Sequence, residues 1–455
     1  SRMLNRSSER PCPMAPQAMA PGACHSLPRP PRLLALAALS LARSALAGCP
    51  APAARPQAPR WATDLNGVAW PDYCFEPREL EEHFFIIGDW GGLFRGPGVP
   101  PIPAPEGKRP LVAGVDDRAQ LLVAAQMKLR ANVSQPRYLL NVGDNFYWGG
   151  VDSACGAGAS AVASSSLAQW QTVFEEVYDG PDLAGKPWLG VLGNHDYGGY
   201  KFVKGWDQAI AYTWGGSDRW VTPAQYWSTQ VRYSNFTVDF LFVDSNVNDA
   251  FAPLDNPGHN LCSERNNPPG ASCNATGPNS PDDCTMWFQR LWNEQVVWME
   301  ERLLASSADW HVVVTHFPPQ YHVEVWARLA EMYAIDLIVT GHRHQQEVSG
   351  RDPKIGQAAW VVSGGGGGIT SEGSPCKDGN DDMYGFFDVT ISHERIKLEA
   401  CLLARLPMPG CTATLDVSWH AGDLAQRSGE KDDDGEAEVP ECEDNGDKRH
   451  SRQHQ

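Results

Sequence analysis

The chain has 455 residues, 42% of them hydrophobic and 17 of them Trp, which excludes a chain disordered throughout and is enough for one catalytic domain with tails. A formal net charge of −18 speaks against nucleic acid as the natural partner, because phosphate backbones attract basic proteins.

Residues 1–47 are expected to be upstream sequence and a signal peptide. Met3, Met14 and Met19 are possible starts; from Met19, Arg29 and Arg32 form a basic region, Leu33 to Leu41 an apolar run, and Ala45-Leu46-Ala47 a small-residue cleavage site. The apolar run is shorter than the roughly 20 residues of a transmembrane helix, so a secreted or lumenal product without a transmembrane segment is expected. The competing reading takes Leu46-Ala-Gly-Cys49 as a lipoprotein signal that leaves Cys49 lipid-anchored. Ten of the twelve Cys lie beyond Ala47 and form no Cys-x-x-Cys pair, which favours disulfides in an oxidising compartment over a zinc knuckle. Asn132, Asn235 and Asn274 each open a glycosylation tripeptide.

Residues 48–80 are a Pro- and Ala-rich lead-in, and the catalytic domain is expected over 81–409. It opens on Phe84-Phe-Ile-Ile-Gly-Asp89, a short apolar run that stops on a carboxylate. The same form recurs at Tyr138 to Asp144 with Tyr147 just beyond, at Trp188 to His195, at Val312 to His316, and at Leu337 to His344. These read as buried strands, each ending in a loop that bears metal-compatible side chains. Residues 96–105 are too Pro-rich for a sheet interior and read as a surface loop. Helical spacing over Asp116 to Ala131, with Leu121, Leu122, Ala125 and Leu129 on one face, and over Leu167 to Tyr178, with Trp170, Val173, Phe174 and Val177, supplies the crossovers of parallel βαβ units. Parallel strands bring their carboxyl ends to one edge, where ligands bind in open α/β sheets.

A short helix is expected at Trp206 to Trp214 and paired strands at 226–232 and 236–244. Residues 246–283 form a long Pro, Gly and Asn-rich insertion that leaves the carboxyl end of a strand, and the spacing predicts a lid over the site. An amphipathic helix over Trp287 to Leu304 follows, then a βαβ unit of strand 310–315, helix 323–334 and strand 336–340. Short strands at 360–363, 386–391 and 396–402 suit a second, mixed sheet packed on the first. Residues 410–455 read as a charged, disordered tail.

Asp89, Asp144, Tyr147, Asn194, His316, His342 and His344 together are more donors than one ion needs. Sharing Asp144 between two ions gives each about four protein ligands and leaves open positions, as two-metal hydrolysis requires. A tyrosinate favours a trivalent ion such as Fe(III), whereas Asn and His suit a divalent one. Asp244 also follows an apolar run, Phe240 to Val243, but reads as structural; His83, His311 and His322 lack a motif and read as structural or exposed, and Gly364 to Gly368 as a close-packed turn rather than a phosphate cradle.

Gly88-Asp-Trp-Gly91, Gly143-Asp-Asn-Phe-Tyr147, Gly193-Asn-His-Asp196, Val313-Val-Thr-His316 and Gly341-His-Arg-His344, in order over roughly residues 83 to 403, resemble the metal-binding blocks of the purple acid phosphatases. The short, tartrate-resistant branch is most similar, through Gly88 to Gly92 and Gly143 to Tyr147. That resemblance implies a calcineurin-like metallophosphoesterase fold, an αββα sandwich of the α/β (α+β) class with two mixed sheets. It implies Asp89, Tyr147 and His344 on Fe(III), Asn194, His316 and His342 on a divalent Fe, Zn or Mn ion, Asp144 bridging, and His195 over the site as phosphate binder or general acid. The function implied is hydrolysis of phosphate monoesters on a small phosphorylated substrate. The alternatives are a phosphodiesterase or pyrophosphatase on the same metals, or a metal-bearing binding protein without turnover. The family branch carries a further His several residues beyond the fourth block, whereas Phe317-Pro-Pro-Gln-Tyr-His322 is spaced differently, which leaves the role of His322 open.

Overall fold

The apolar runs become strands buried on both faces. In β3 (Glu82–Ile87), Phe84 and Ile86 point to one core while Phe85 and Ile87 point to another. A strand of period two buried on both sides needs a continuous apolar stretch rather than alternation. The computed structural model describes residues 49–51, 53–92, 111–160, 162–216, 218–373, 381–403 and 414–418. The expected signal peptide, the 96–105 loop and most of the 410–455 tail lie outside the described residues.

Before β3 come two short strands, β1 (Val68–Ala69) and β2 (Tyr73–Cys74). After it follow β4 (Leu139–Asn141), β5 (Trp188–Gly190), β6 (Trp220–Val221), β7 (Trp227–Arg232), β8 (Thr237–Phe242), β9 (Trp310–Val314), β10 (Leu337–Thr340), β11 (Gln346–Asp352), β12 (Ala358–Ser363), β13 (Asp381–Ile391), β14 (Arg395–Leu403) and β15 (Thr414–Ser418). A seven-stranded sheet runs β15-β14-β13-β3-β4-β5-β6, and an eight-stranded sheet runs β1-β7-β8-β9-β10-β12-β11 with β2 also on β7. The helices are α1 (Ala119–Ser134), α2 (Ser164–Trp170), the single turn α3 (Asn194–Tyr197), α4 (Trp206–Gly215), α5 (Pro281–Ala305) and α6 (Val323–Tyr333).

Three cores sort these elements into layers. Phe84, Ile86, Leu140 and Leu189 meet Phe240, Phe242, Val312 and Val339 between the two sheets. Phe85, Leu139 and Trp188 pack under Val123 and Met127 of α1 and Trp170 and Phe174 of the second crossover. Leu241, Val313 and Ile338 pack under Trp292 and Met299 of α5 and Trp326 and Leu329 of α6. Helices thus cover the outer face of each sheet, as two mixed sheets packed face to face require. Each fully buried Val, Leu, Ile or Phe contributes about 1.5–3 kcal/mol against its exposed state.

The structure corrects several expectations. The five ligand-bearing strands do not share one sheet: β3, β4 and β5 are parallel neighbours in the seven-stranded sheet, while β9 and β10 are parallel neighbours in the other. Nor do the late strands form one sheet, since β12 joins β10 and β13 joins β3. The face of α1 is also different: Val123, Ala124, Met127 and Ala131 are buried, whereas Leu121 and Leu129 are 39% and 50% exposed. The buried face joins the apolar Val123 and Met127 to the small Ala124 and Ala131, a combination that packs closely against the sheet.

Residues 53–80, within the expected lead-in, pack onto the domain that follows. β1 and β2 pair with β7, Trp70 is buried, and Cys49 is disulfide-bonded to Cys74. That bond occupies the sulfur a lipid anchor would need. Within the 410–455 segment expected to be irregular, β15 pairs antiparallel with β14.

Candidate metal centre

Every loop that bears a candidate ligand begins where a strand ends. β3 runs to Ile87 and presents Asp89; β4 runs to Asn141 and presents Asp144 and Tyr147; β5 runs to Gly190 and leads to Asn194 and His195 at the start of α3. From the other sheet, β9 presents His316 and β10 presents His342 and His344. Asp89, Asp144 and His342 adopt positive φ angles of 57°, 53° and 70°. Non-glycine residues rarely adopt that conformation, and such strain gathers at functional sites. The glycines between them make room: a Cβ on Gly193 would lie 2.1 Å from Asp144 Oδ1, and one on Gly341 2.5 Å from Asp89 Oδ2.

The side chains converge. Asp89, Asp144 and His316 each offer a ligand atom within 4.8 Å of the others. The Tyr147 hydroxyl lies 2.9 Å from Asp89 Oδ1, 2.8 Å from Asp144 Oδ2 and 3.3 Å from His344 Nε2. His316 Nε2 lies 3.1 Å from Asn194 Oδ1 and 3.4 Å from Asp144 Oδ1. On its other side, His316 Nδ1 donates to the Val142 carbonyl at 2.8 Å, which turns Nε2 toward the cluster. Burial lowers the pKa of this ring, but Asp144 and Asp89 outweigh it and push it up to about 10, so Nε2 carries a proton that a bound cation would displace. His342 donates its backbone N–H to Asp89 Oδ2 at 3.0 Å, and its ring centroid is 5.3 Å from that of His316.

The charges in this cluster oppose one another. Burial pushes the Asp89 carboxyl well above its ordinary range, an effect that the His316 ring counters and that neighbouring Asp144 adds to. Burial raises Asp144 as well, but the His316 and His195 rings outweigh it and hold that group ionised. Burial and then the two carboxylates drive the Tyr147 phenol well above 10. Asp89 and Asp144 form their ion pairs with histidines alone among the described residues. Two buried carboxylates and a phenol with no Lys or Arg partner form a donor set that a polyvalent cation would satisfy.

His195 sits beside the cluster rather than in it. Its backbone N–H donates to Asp144 Oδ1 at 2.8 Å, its ring lies 4.4 Å from Tyr147, and Nδ1 donates to the Trp148 carbonyl at 2.6 Å. His322, by contrast, stacks on Trp292 of α5 at 4.5 Å and is held away from the cluster. The Asp244 carboxylate is taken by the Tyr197 hydroxyl and the Asn246 N–H, at 2.7 and 2.9 Å. His83 faces Asp388, and His311 faces Ser306. The Gly364 to Gly368 turn packs under the ligand loops, where a Cβ on Gly368 would meet Tyr147 and the Asp89 carbonyl.

Sequence reasoning missed two residues that the fold brings in. Asp196 accepts from Asn145 N–H, Asn145 Nδ2 and Gly193 N–H at 2.8–2.9 Å, tying the loops after β4 and β5 together. Asp249, in the first turn of the 246–283 insertion, accepts from Asn194 Nδ2 at 3.2 Å. That bond leaves Asn194 Oδ1 turned toward His316. The Gly193-Asn-His-Asp196 motif was a local signal for Asp196, while nothing near Asp249 in the chain distinguishes it.

Residues 83–346 match the sequence profile of the calcineurin-like phosphoesterases. Curated relatives that are similar include acid phosphatases of two mammals. Tartrate-resistant acid phosphatase type 5 of Oryctolagus cuniculus is 25% identical over 292 residues, 62% of this chain and 72% of the relative. The same enzyme of Sus scrofa is 27% identical over 240 residues, 52% of this chain and 53% of the relative. Among solved structures, the purple acid phosphatase PPD1 of yellow lupin, Lupinus luteus, is 14% identical over 76% of this chain and 55% of its own, with a TM-score of 0.43.

Proposed function

The chain belongs to the calcineurin-like phosphoesterase family, and from that premise we propose that it is a secreted acid phosphatase with a binuclear metal centre, acting on phosphate monoesters. The observation that carries this reading is the Tyr147 oxygen wedged between two buried carboxylates, a hard anionic donor set suited to a trivalent ion. Asp89, Tyr147 and His344 would hold Fe(III), Asn194, His316 and His342 a divalent Fe, Zn or Mn ion, and Asp144 both. Bound there, the ions would polarise the phosphoryl oxygens and make water nucleophilic in mild acid.

The chain's own residues do the rest. Asp89, Asp144 and His316 are at most 1% exposed, so the reacting group meets fixed dipoles in place of bulk water. With Nδ1 of His195 committed to the Trp148 carbonyl, Nε2 is the atom that carries or releases a proton. As the P–O bond to the alcohol breaks, His195 Nε2 gives its proton to the departing oxygen while water supplies the new P–O bond.

Secretion is supported by the disulfides Cys49–Cys74, Cys155–Cys273 and Cys262–Cys284, which persist in oxidising compartments. Among the described residues no helix is long and apolar enough to cross a membrane. The exposed Asn132, Asn235 and Asn274 are open to glycosylation. The decisive experiment measures iron content together with rates on an aryl monoester and an aryl diester. Faster monoester turnover with iron bound is expected. A faster diester rate makes the chain a phosphodiesterase, and metal without turnover makes it a binding protein.

A further inference from the structure

Beside His195 lies a cavity of about 300 Å³ lined by Trp148, Gly149, Gly198, Tyr200, Lys201 and Asn266. We infer that this cavity is a leaving-group subsite that selects monoesters whose alcohol is a single aromatic ring carrying a second anionic group. The inference rests on the phosphatase reading and names its substrate class.

Position comes first. Trp148 belongs to both places: its carbonyl accepts from His195 Nδ1, its ring lies 4.9 Å from the His195 ring, and the same residue walls the cavity. His195 therefore stands one side chain from the cavity, so a leaving group that passes His195 has this space within reach.

The walls then specify the alcohol. Trp148 and Tyr200, both partly exposed, lie with ring centroids 6.1 Å apart at 34° and give the cavity two aromatic walls, against which a planar ring gains aromatic contact as well as burial. Lys201 makes no ion pair among the described residues, whereas nearby Lys204 is paired with Asp152 at 3.0 Å. As a lining cation with no ion pair among the described residues, Lys201 offers a counter-charge to an anionic substituent. The volume is at the lower end of ligand pockets, about 300–1,000 Å³, and suits one substituted ring. Asn266 supplies a wall from the 246–283 insertion, so that insertion shapes the subsite.

The test compares phenyl phosphate, 4-carboxyphenyl phosphate and glycerol 2-phosphate on the metal-loaded protein and on its Tyr200→Ala and Lys201→Ala variants. Intrinsic ester reactivity cancels when each variant is divided by the wild type. Tyr200→Ala should lower kcat/KM for both aryl esters about tenfold relative to glycerol 2-phosphate. Lys201→Ala should lower kcat/KM for the carboxylated ester about fivefold relative to phenyl phosphate, the upper range for a partly exposed charge pair. Metal content should be unchanged in both. Equal factors on all three esters would overturn the subsite. If the wild type hydrolyses none of them, the phosphatase reading fails, and calorimetric binding of 4-hydroxybenzoate decides the cavity alone: weaker binding in Lys201→Ala supports it, and no binding to the wild type overturns it.

Discussion

At the scale of single residues, Tyr147 makes the sharpest chemical commitment. Burial and two carboxylates hold its phenol protonated in the bare site, so binding a ferric ion has to displace that proton. The loaded protein should show a visible phenolate charge-transfer band, lost in Tyr147→Phe while far-ultraviolet circular dichroism is unchanged; a colourless, iron-loaded wild type would refute the assignment. His195→Ala should lower kcat by about 10²–10⁴ with metal content retained. Burial places the His195 pKa below its ordinary 6.5. Its charged fraction, and kcat with it, should therefore fall as pH rises through that lowered value, a limb that should vanish in His195→Ala. Equal loss of metal and rate would make His195 structural. Asp249→Ala should weaken the divalent site about 10–100-fold by freeing the Asn194 amide, while colour persists. Asp249→Asn keeps an acceptor and should bind metal like the wild type; unchanged affinity in Asp249→Ala would remove the role. The convergence of the candidate ligands was legible because each follows the end of an apolar run. Asp249 was not, because its contact with Asn194 spans 55 residues and leaves no local pattern.

Among the elements, the 246–283 insertion differs most from an ordinary connection. Cys155–Cys273 and Cys262–Cys284 pin it at two points, and Asn267 Oδ1 accepts from Phe202 N–H at 3.1 Å. Its exposed arc runs from Phe251 to His259, with Leu254 76% exposed. Limited proteolysis should nick this arc first and raise kcat with the metals retained, checked by mass spectrometry of the first cut and assay of the nicked chain. Unchanged kinetics after a clean cut would leave a surface insertion without a gating role. Element positions followed the sequence closely at α4 and in the β9-α6-β10 unit, because their apolar periods are strong, whereas α5 begins at Pro281 rather than Trp287, capped by the Ser280 side chain. Sheet membership did not, since an apolar run buried on both faces carries no sign of which sheet it joins. The two-residue strands β1 and β2 are likewise too short to hold a period.

For the whole molecule, chelation is the informative perturbation. Ligands that bind only the folded state stabilise it by about 4 kcal/mol at a thousandfold excess over Kd. Removing metal should therefore lower Tm reversibly, and an unchanged Tm would argue that the cluster holds no ion. The division of ligands between the sheets gives that loss a particular shape. Asp89, Asp144 and Asn194 hang from the seven-stranded sheet, and His316, His342 and His344 from the eight-stranded one. In the bare protein the link at this edge is hydrogen bonding such as His316 Nδ1 to the Val142 carbonyl. An ion held by both sets would act as a clasp across the sandwich, and its loss would release breathing of one sheet against the other. Amide hydrogen exchange should then quicken at the ends of β3, β4, β9 and β10 together, at one common rate, while the far ends of the same strands keep their protection.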